Sequence, residues 1–245
     1  MGSLGRPIGE TVEALAGTGA GVRIGLIDTG ADSRHADLAG RIAGNYEVMM
    51  GYEETYIDPV ENGVDMNDHG TACAGILARL APGAEIHSVQ VIGDHARDNP
   101  EKLIAGIRFA LDQGWEVINI SAGAGKHRTE LLELVQRAHA AGQILIAAKD
   151  NRPGAIGFPA AYPEVIAVDM EYFPDPFGWR YFPDRDVEVE ANGIYIDAPA
   201  AGGGRCSFTG SSFAAPHITA IAARLKEQFP DMRMGEFRQF LAGRW

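Results

Sequence analysis

Three short segments of this chain place reactive side chains in surroundings that favour their use. Asp28 closes an apolar run, Ile24-Gly25-Leu26-Ile27, where a carboxylate is costly unless it meets a hydrogen-bonding partner. His69 lies in Asn67-Asp68-His69-Gly70-Thr71, at the start of a helical pattern whose next residues, Ala72, Cys73, Gly75 and Ile76, are small or apolar. Ser212 lies in Gly210-Ser211-Ser212-Phe213-Ala214-Ala215-Pro216-His217, where glycine permits a tight turn into a helix N-terminus. Backbone N–H groups and the helix dipole at such an end favour a developing oxyanion. A nucleophile, a base and an orienting acid form the constellation of covalent acyl transfer. The chain has seven histidines, so a trio of these residue types arises easily by chance and the flanking residues must carry the assignment.

Other chemistries fail on context. Gly17-Thr18-Gly19-Ala20-Gly21 precedes a predicted strand, whereas a dinucleotide fingerprint follows a strand and opens a helix. Gly123-Ala124-Gly125-Lys126 is similar to part of a phosphate loop, but Ile120 stands where the first glycine belongs and His127 where Ser or Thr belongs. Asp65, Asp68 and His69 cluster, as do Asp94, His95 and Asp98. Neither group matches a zinc or calcium spacing, and both read as solvated loop charges. No metal and no cofactor is expected. Asn119-Ile120-Ser121 spells a glycosylation sequon, but inside a predicted buried strand.

The elements that must position these residues follow from composition and periodicity. With 245 residues, 46% of them hydrophobic, the chain can bury one large core. A net charge of −12 argues against a nucleic-acid partner. No apolar run approaches the roughly 20 residues that span a bilayer, so no membrane partner is expected. Two cysteines, Cys73 and Cys206, are too few for a disulfide framework. Residues 1–21 carry Glu10 and Glu13 and lack the apolar centre of a secretory signal. Residues 1–20 are therefore taken as an N-terminal extension or cloning remnant before a domain that fills the chain. A cytoplasmic monomer is expected, with an excised domain of a longer or secreted precursor as the alternative.

Apolar, β-branched runs at 22–28, 85–91, 117–121, 144–148 and 165–169 predict strands. Helical patterns fall at 69–80, 100–113, 128–141, 211–229 and 235–241, and Leu131, Leu132, Val135 and Ala138 form one apolar stripe. Near-continuous apolar strands alternating with helices imply a single doubly wound α/β domain, its central parallel β-sheet covered by helices on both faces. Residues 171–204, with Pro174, Pro176, Pro183 and Pro199, break the rhythm and predict irregular structure or a short antiparallel edge. Functional groups of such sheets gather beyond the carboxyl ends of the strands, where Asp28, Ser121 and Asp150 fall.

The three reactive segments resemble the motifs of the subtilisin-like serine proteases. Ile24-Gly25-Leu26-Ile27-Asp28-Thr29-Gly30 is similar to the family's aspartate motif. Asp68-His69-Gly70-Thr71 with Ala74-Gly75 is similar to its histidine motif. Gly210-Ser211-Ser212 with Ala214 and Pro216-His217 is similar to its serine motif, with Ser211 where threonine is usual and Phe213 where methionine is usual. The order Asp, His, Ser is the subtilisin order. Val117–Gly123, Gly157-Phe158-Pro159 and Tyr162-Pro163 extend the resemblance over roughly residues 20–240. It implies a serine endopeptidase acting on peptide or protein substrates, with Ser212 as nucleophile, His69 as general base and Asp28 orienting it. The lack of a visible signal and pro-segment suggests a processing enzyme. A peptide macrocyclase or transpeptidase on the same scaffold is one alternative, and a pseudoprotease binding module is another.

The resemblance also implies finer positions. Counting back from Gly157-Phe158-Pro159 places Asp150 where the family has its oxyanion asparagine, in Ala147-Ala148-Lys149-Asp150-Asn151. An ionised aspartate only accepts, so this position needs either a protonated Asp150 or Asn151 after a one-residue shift. An extended substrate would pair between Ser121-Ala122-Gly123 and a second edge near Ala96-Arg97-Asp98. Ala147, Ala148 and Lys149 would wall the first pocket, with Gly157 near its base. The family's calcium loop looks deleted at Ala81-Pro82-Gly83. Cys73 falls one helical turn after His69, as in some members, and reads as a small packed residue.

Overall fold

The structure, a computed structural model, describes residues 15–52, 54–93 and 99–245. The apolar runs form the middle of a nine-stranded sheet. They are β1 (Arg23–Asp28), β4 (Glu85–Gln90), β5 (Val117–Ile120), β6 (Ile144–Ala148) and β7 (Ile166–Glu171). All four residues of β5 are buried, as expected of strands covered on both faces. The order is β3-β2-β4-β1-β5-β6-β7-β9-β8, where β2 is Ile42–Met50, β3 Thr55–Pro59, β8 Trp179–Tyr181 and β9 Val189–Asn192. Strands β2, β4, β1, β5, β6, β7 and β9 run parallel, and β3 and β8 close the two edges antiparallel.

Helices α1 (His69–Leu80), α4 (Ser211–Gln228) and α5 (Met234–Leu241) share an apolar cluster on one face. Helices α2 (Pro100–Asp112) and α3 (Thr129–Ala140) share another on the opposite face. The doubly wound reading therefore holds. The residues 171–204 supply more sheet than expected. Strand β8 is the antiparallel edge, but β9 joins the main sheet parallel to β7, and β10 (Ile196–Pro199) pairs with β11 (Arg205–Phe208) in a separate hairpin. Prolines are tolerated there because they lie between strands or at a strand end.

The register sets the site. Asp28 lies opposite Gln90, Ile27 opposite Ile120, and Ile120 opposite Ala147. The carboxyl ends of β1, β5 and β6 therefore stand side by side, and the segments that follow them leave the sheet together.

Candidate active site

Asp28 is fully buried at the end of β1. Its Oδ1 accepts from the Thr29 N–H at 2.7 Å and lies 2.6 Å from Nδ1 of His69. That pairing assigns the proton to Nδ1 and leaves Nε2 as the basic nitrogen. Burial disfavours the imidazolium. The Asp28 charge and hydrogen bond, with Asp65 behind them, outweigh burial and raise the His69 pKa above its ordinary 6.5.

The start of α1 is built by residues around the histidine. Asp68, the residue before it, is left-handed at φ 62° and gives no cap bond. Asp65 caps in its place: Oδ2 accepts from the N–H and hydroxyl of Thr71, at 2.8 and 2.7 Å. Its Oδ1 accepts from the Thr29 hydroxyl at 2.9 Å, and Thr29 Oγ1 accepts the Gly70 N–H at 2.9 Å. Gly70 has no room for a side chain, since a Cβ there would lie 1.9 Å from the Gly30 carbonyl oxygen. Asp65 and Asp68 are thus not the solvated loop charges the spacing suggested. Asp65 is buried, and Asp68 Oδ1 accepts the Ala201 N–H at 2.9 Å. Burial pushes the Asp65 carboxyl above its ordinary value, against the Thr71, Asn67 and Thr29 hydrogen bonds that pull it down.

Ser212 occupies the first turn of α4, which packs against α1. The His69 ring lies 4.9 Å from that of Phe213, the residue after the serine. Cys73, one turn beyond His69, sends its thiol to the Ser212 carbonyl at 3.3 Å, and burial raises its pKa well above the usual thiol value. Among the described residues, Asp28, His69 and Cys73 form one group of metal-capable ligands, within 4.8 Å of one another. The His69–Asp28 hydrogen bond already engages two of them.

Asp150 and Asn151, the two candidates for the oxyanion position, differ in their partners. Both carboxylate oxygens of Asp150 are taken by Arg152, through its guanidinium and its N–H. The Arg152 hydrogen bonds, helped by Lys149, hold the Asp150 carboxyl below its ordinary range against partial burial, so it stays ionised and cannot donate. Asn151 is the side chain turned to α4. Its Oδ1 accepts the Ser211 N–H at 3.1 Å, which fixes the amide orientation and frees Nδ2 to donate. Nδ2 and the Ser212 hydroxyl flank Gly210, at 3.6 and 3.4 Å from where its Cβ would stand. Asp150 also bonds within its own loop through its backbone, its N–H donating to Ile156 O at 2.7 Å.

A cleft of about 540 Å³ opens beside Ser212. Of the predicted substrate residues, Ser121, Ala122, Gly123, Ala148, Lys149 and Gly157 all line it. Ala147 does not: it is fully buried in the α2–α3 core, because successive strand residues face opposite sides and Ala148 takes the cleft side. Ala96, Arg97 and Asp98, like Asp94 and His95, lie outside the described residues. The Lys149 ammonium pairs with Asp169 at 2.9 Å. Gly157 is left-handed at φ 76°, a conformation glycine adopts without steric cost. Residues 124 and 158 bridge the two walls: Ala124 N–H donates to Phe158 O at 2.8 Å and the reverse bond is 2.9 Å. Arg152 was not anticipated as a lining residue, and neither was the support given by Asp65, Thr29 and Thr71. Only the spacing of Asp65 and Thr71 about His69 offered a signal.

This fold and this juxtaposition define the class of subtilisin-like hydrolases. Residues 19–243 match Peptidase S8, the subtilase family. The chain is 29% identical over 247 residues to Subtilisin DY of Bacillus licheniformis, covering 95% of this chain and 86% of that protein. It is 31% identical to alkaline elastase YaB of Bacillus sp. (strain YaB), covering 91% of this chain but 59% of the elastase. It is also 31% identical over 225 residues to an intracellular serine protease of Paenibacillus polymyxa, covering 85% of this chain and 68% of that protein. Among solved structures, fervidolysin of Fervidobacterium pennivorans, described as a keratinolytic enzyme related to subtilisin, shares the fold. The TM-score is 0.73 at 24% identity, over 91% of this chain and 40% of that one. The chain belongs to the subtilase family and is a subtilisin-like serine protease, a hydrolase.

Proposed function

We propose that the chain is an endopeptidase in which Ser212 is the nucleophile, His69 the general base, Asp28 its orienting acid and Asn151 the oxyanion donor. The observation that carries this reading is the 2.6 Å contact between His69 Nδ1 and buried Asp28, with the His69 ring packed on Phe213, the residue after the serine that lines the cleft. An extended peptide adds along Ser121-Ala122-Gly123 and sets its scissile carbonyl over Ser212, with the preceding side chain in the cleft. His69 Nε2 takes the hydroxyl proton as Ser212 Oγ bonds to the carbonyl carbon. The oxygen gains charge facing Asn151 Nδ2 and the Ser212 N–H, which at this helix position has no intrahelical acceptor. Collapse expels the amine, which leaves with the proton from His69, and water then releases the acyl group by the same steps reversed.

The Asp150–Arg152 pairing weighs against a pseudoprotease, since it removes the aspartate from the position where it would do harm. A cytoplasmic site of action and a role in processing peptide or protein precursors complete the proposal, by likeness to a relative described as an intracellular serine protease. Labelling with a fluorophosphonate tests the reading. The parent should label and Ser212→Ala should not, and a Ser212→Ala protein that labels as well as the parent overturns it.

A further inference from the structure

The helix that carries Ser212 contains a proline, Pro216, four residues on. In regular α-helix the Ser212 carbonyl would accept the N–H of residue 216, and proline has none. Its ring also crowds the carbonyl four residues back. The carbonyl of the nucleophile's own residue is therefore denied its helical partner. Side chains from two other elements take it instead. The Ser121 hydroxyl, at the end of β5, donates to Ser212 O at 3.1 Å, and the Cys73 thiol, on α1, donates at 3.3 Å.

Ser121 is itself held. Its Oγ accepts from Asn119 Nδ2 at 2.9 Å, and Asn119 Oδ1 accepts from the Thr219 hydroxyl at 2.9 Å. Asn119 and Thr219 are both fully buried. Asn119 bridges two hydroxyls, donating to Ser121 and accepting from Thr219, whose single hydrogen is shared with Ala215 O at 3.0 Å. The chain of bonds leaves α4 at Thr219, crosses the end of β5, and returns to α4 at Ser212.

We propose that Pro216 frees the Ser212 carbonyl so that a side-chain clamp, Ser121 and Cys73 supported by Asn119 and Thr219, sets the orientation of the nucleophile. These are positioning residues, acting through the Ser212 peptide group. The clamp ties the serine to β5, whose end also carries the substrate-pairing strand, and to α1, which carries His69. A plain helical bond would tie it only to its own helix. This inference rests on the reading of Ser212 as nucleophile.

The test is a double-mutant cycle between Ser121→Ala and Pro216→Ala, since alanine at 216 restores a backbone donor to the same carbonyl. The readouts are the rate of fluorophosphonate labelling across pH and the melting temperature. Ser121→Ala should slow labelling about tenfold or more in the parent, because small misplacements of a reacting atom carry penalties of that order. The pH at which labelling half-rises should stay fixed, since it is set by His69 and Asp28. In the Pro216→Ala background the same substitution should slow labelling far less and lower the melting temperature less. Equal penalties in both backgrounds overturn the clamp. A parent that does not label sinks the nucleophile reading, and the melting cycle then decides the clamp alone. If Pro216→Ala fails to fold, Thr219→Val and Thr219→Ser take its place. Valine should slow labelling at an unchanged pH midpoint and serine should restore it, whereas a valine variant that labels like the parent overturns the proposal.

Discussion

Asn151 Oδ1 lies 3.1 Å from the Ser211 backbone nitrogen and 3.0 Å from its hydroxyl oxygen, while the Ser211 hydroxyl also reaches Lys149 O at 2.5 Å. This ties the loop after β6 to the first residue of α4 and leaves the amide nitrogen beside Gly210, two residues before Ser212. Asn151→Ala should lower kcat with little change in KM. The expected loss is about 10²–10³, the value characterised for the corresponding donor in subtilisin itself, and it is borrowed from that relative. Asp150→Asn should change kcat little, because its carboxylate serves Arg152. The ion pair is solvent-exposed on the arginine side, so its removal should alter stability by about 0–1 kcal/mol. A turnover that rises in Asp150→Asn and is unmoved in Asn151→Ala would return the oxyanion position to Asp150.

The raised pKa of His69 gives activity a pH signature. Catalysis needs the neutral ring, so rate should climb with pH through a midpoint above 6.5. Asp28→Asn removes the charge that holds the proton. Its midpoint should fall below that of the parent, and its kcat should drop by about 10⁴, as in the general triad template. Stability follows with a definite sign. A folded-state pKa above the unfolded one stabilises the protein fully below the unfolded value, and this is lost as pH rises through the folded one. Removal by His69→Ala should therefore lower the melting temperature more at about pH 5 than at about pH 9. An equal effect at both would contradict the shift.

Gly70 illustrates a requirement of close approach. A Cβ 1.9 Å from the Gly30 carbonyl cannot be absorbed by a side-chain movement, because its neighbour is backbone. Gly70→Ala must push α1 from the end of β1, and so separate His69 from Asp28. We expect destabilisation of about 1–3 kcal/mol or more, with loss of peptidase activity exceeding the loss of folded protein. Gly235→Ala, at a position on α5 with open space around it, is the control and should be neutral or stabilising by up to about 1 kcal/mol. Circular-dichroism melts and activity per folded molecule separate the two effects.

The sheet centre was legible because its strands are buried on both faces and so are written as apolar runs. β2 and β9 were not, because their burial alternates or is partial, and a sequence such as Val189-Glu190-Ala191-Asn192 carries no such run. Asp28, His69 and Ser212 were legible because each sits in a string whose glycines and small residues are dictated by tight contacts, Gly70 against Gly30 and Gly75 against Pro199 among them. Which of the adjacent Asp150 and Asn151 faces Ser211 was not legible in the string around them, since that depends on the pairing of Asp150 with the arginine two residues on. The Thr219–Asn119–Ser121 path was hidden because its members lie 100 and 2 residues apart and meet only through the fold.

The end of α4 far from Ser212 supports a last prediction. Glu227 Oε2 accepts three successive backbone N–H groups, of Thr18, Gly19 and Ala20, at 2.6, 2.7 and 3.1 Å. Such a concave row of donors is a nest for an anion, and here the anion is a side chain of the same molecule. Gly19 is left-handed at φ 82°, the conformation that turns successive N–H groups to one side. Arg224, one turn earlier, extends the attachment by donating to Leu15 O at 2.6 Å and to Leu80 O at 2.5 Å. Glu227 thus ties residues 18–20, and Arg224 residue 15, to α4 shortly before β1 begins at Arg23. Glu227→Gln preserves the shape but replaces the charged acceptor with a neutral one carrying two hydrogens of its own. The expected loss is about 1 kcal/mol, which for a chain of this size lowers the melting temperature by about 2–4 °C. Hydrogen exchange at Thr18, Gly19 and Ala20 should quicken while that of β5 stays as it was. Exchange at those three amides that is unaltered in Glu227→Gln would mean that the loop is held by the Arg224 bonds and its own turn, and that the carboxylate only caps a segment already in place.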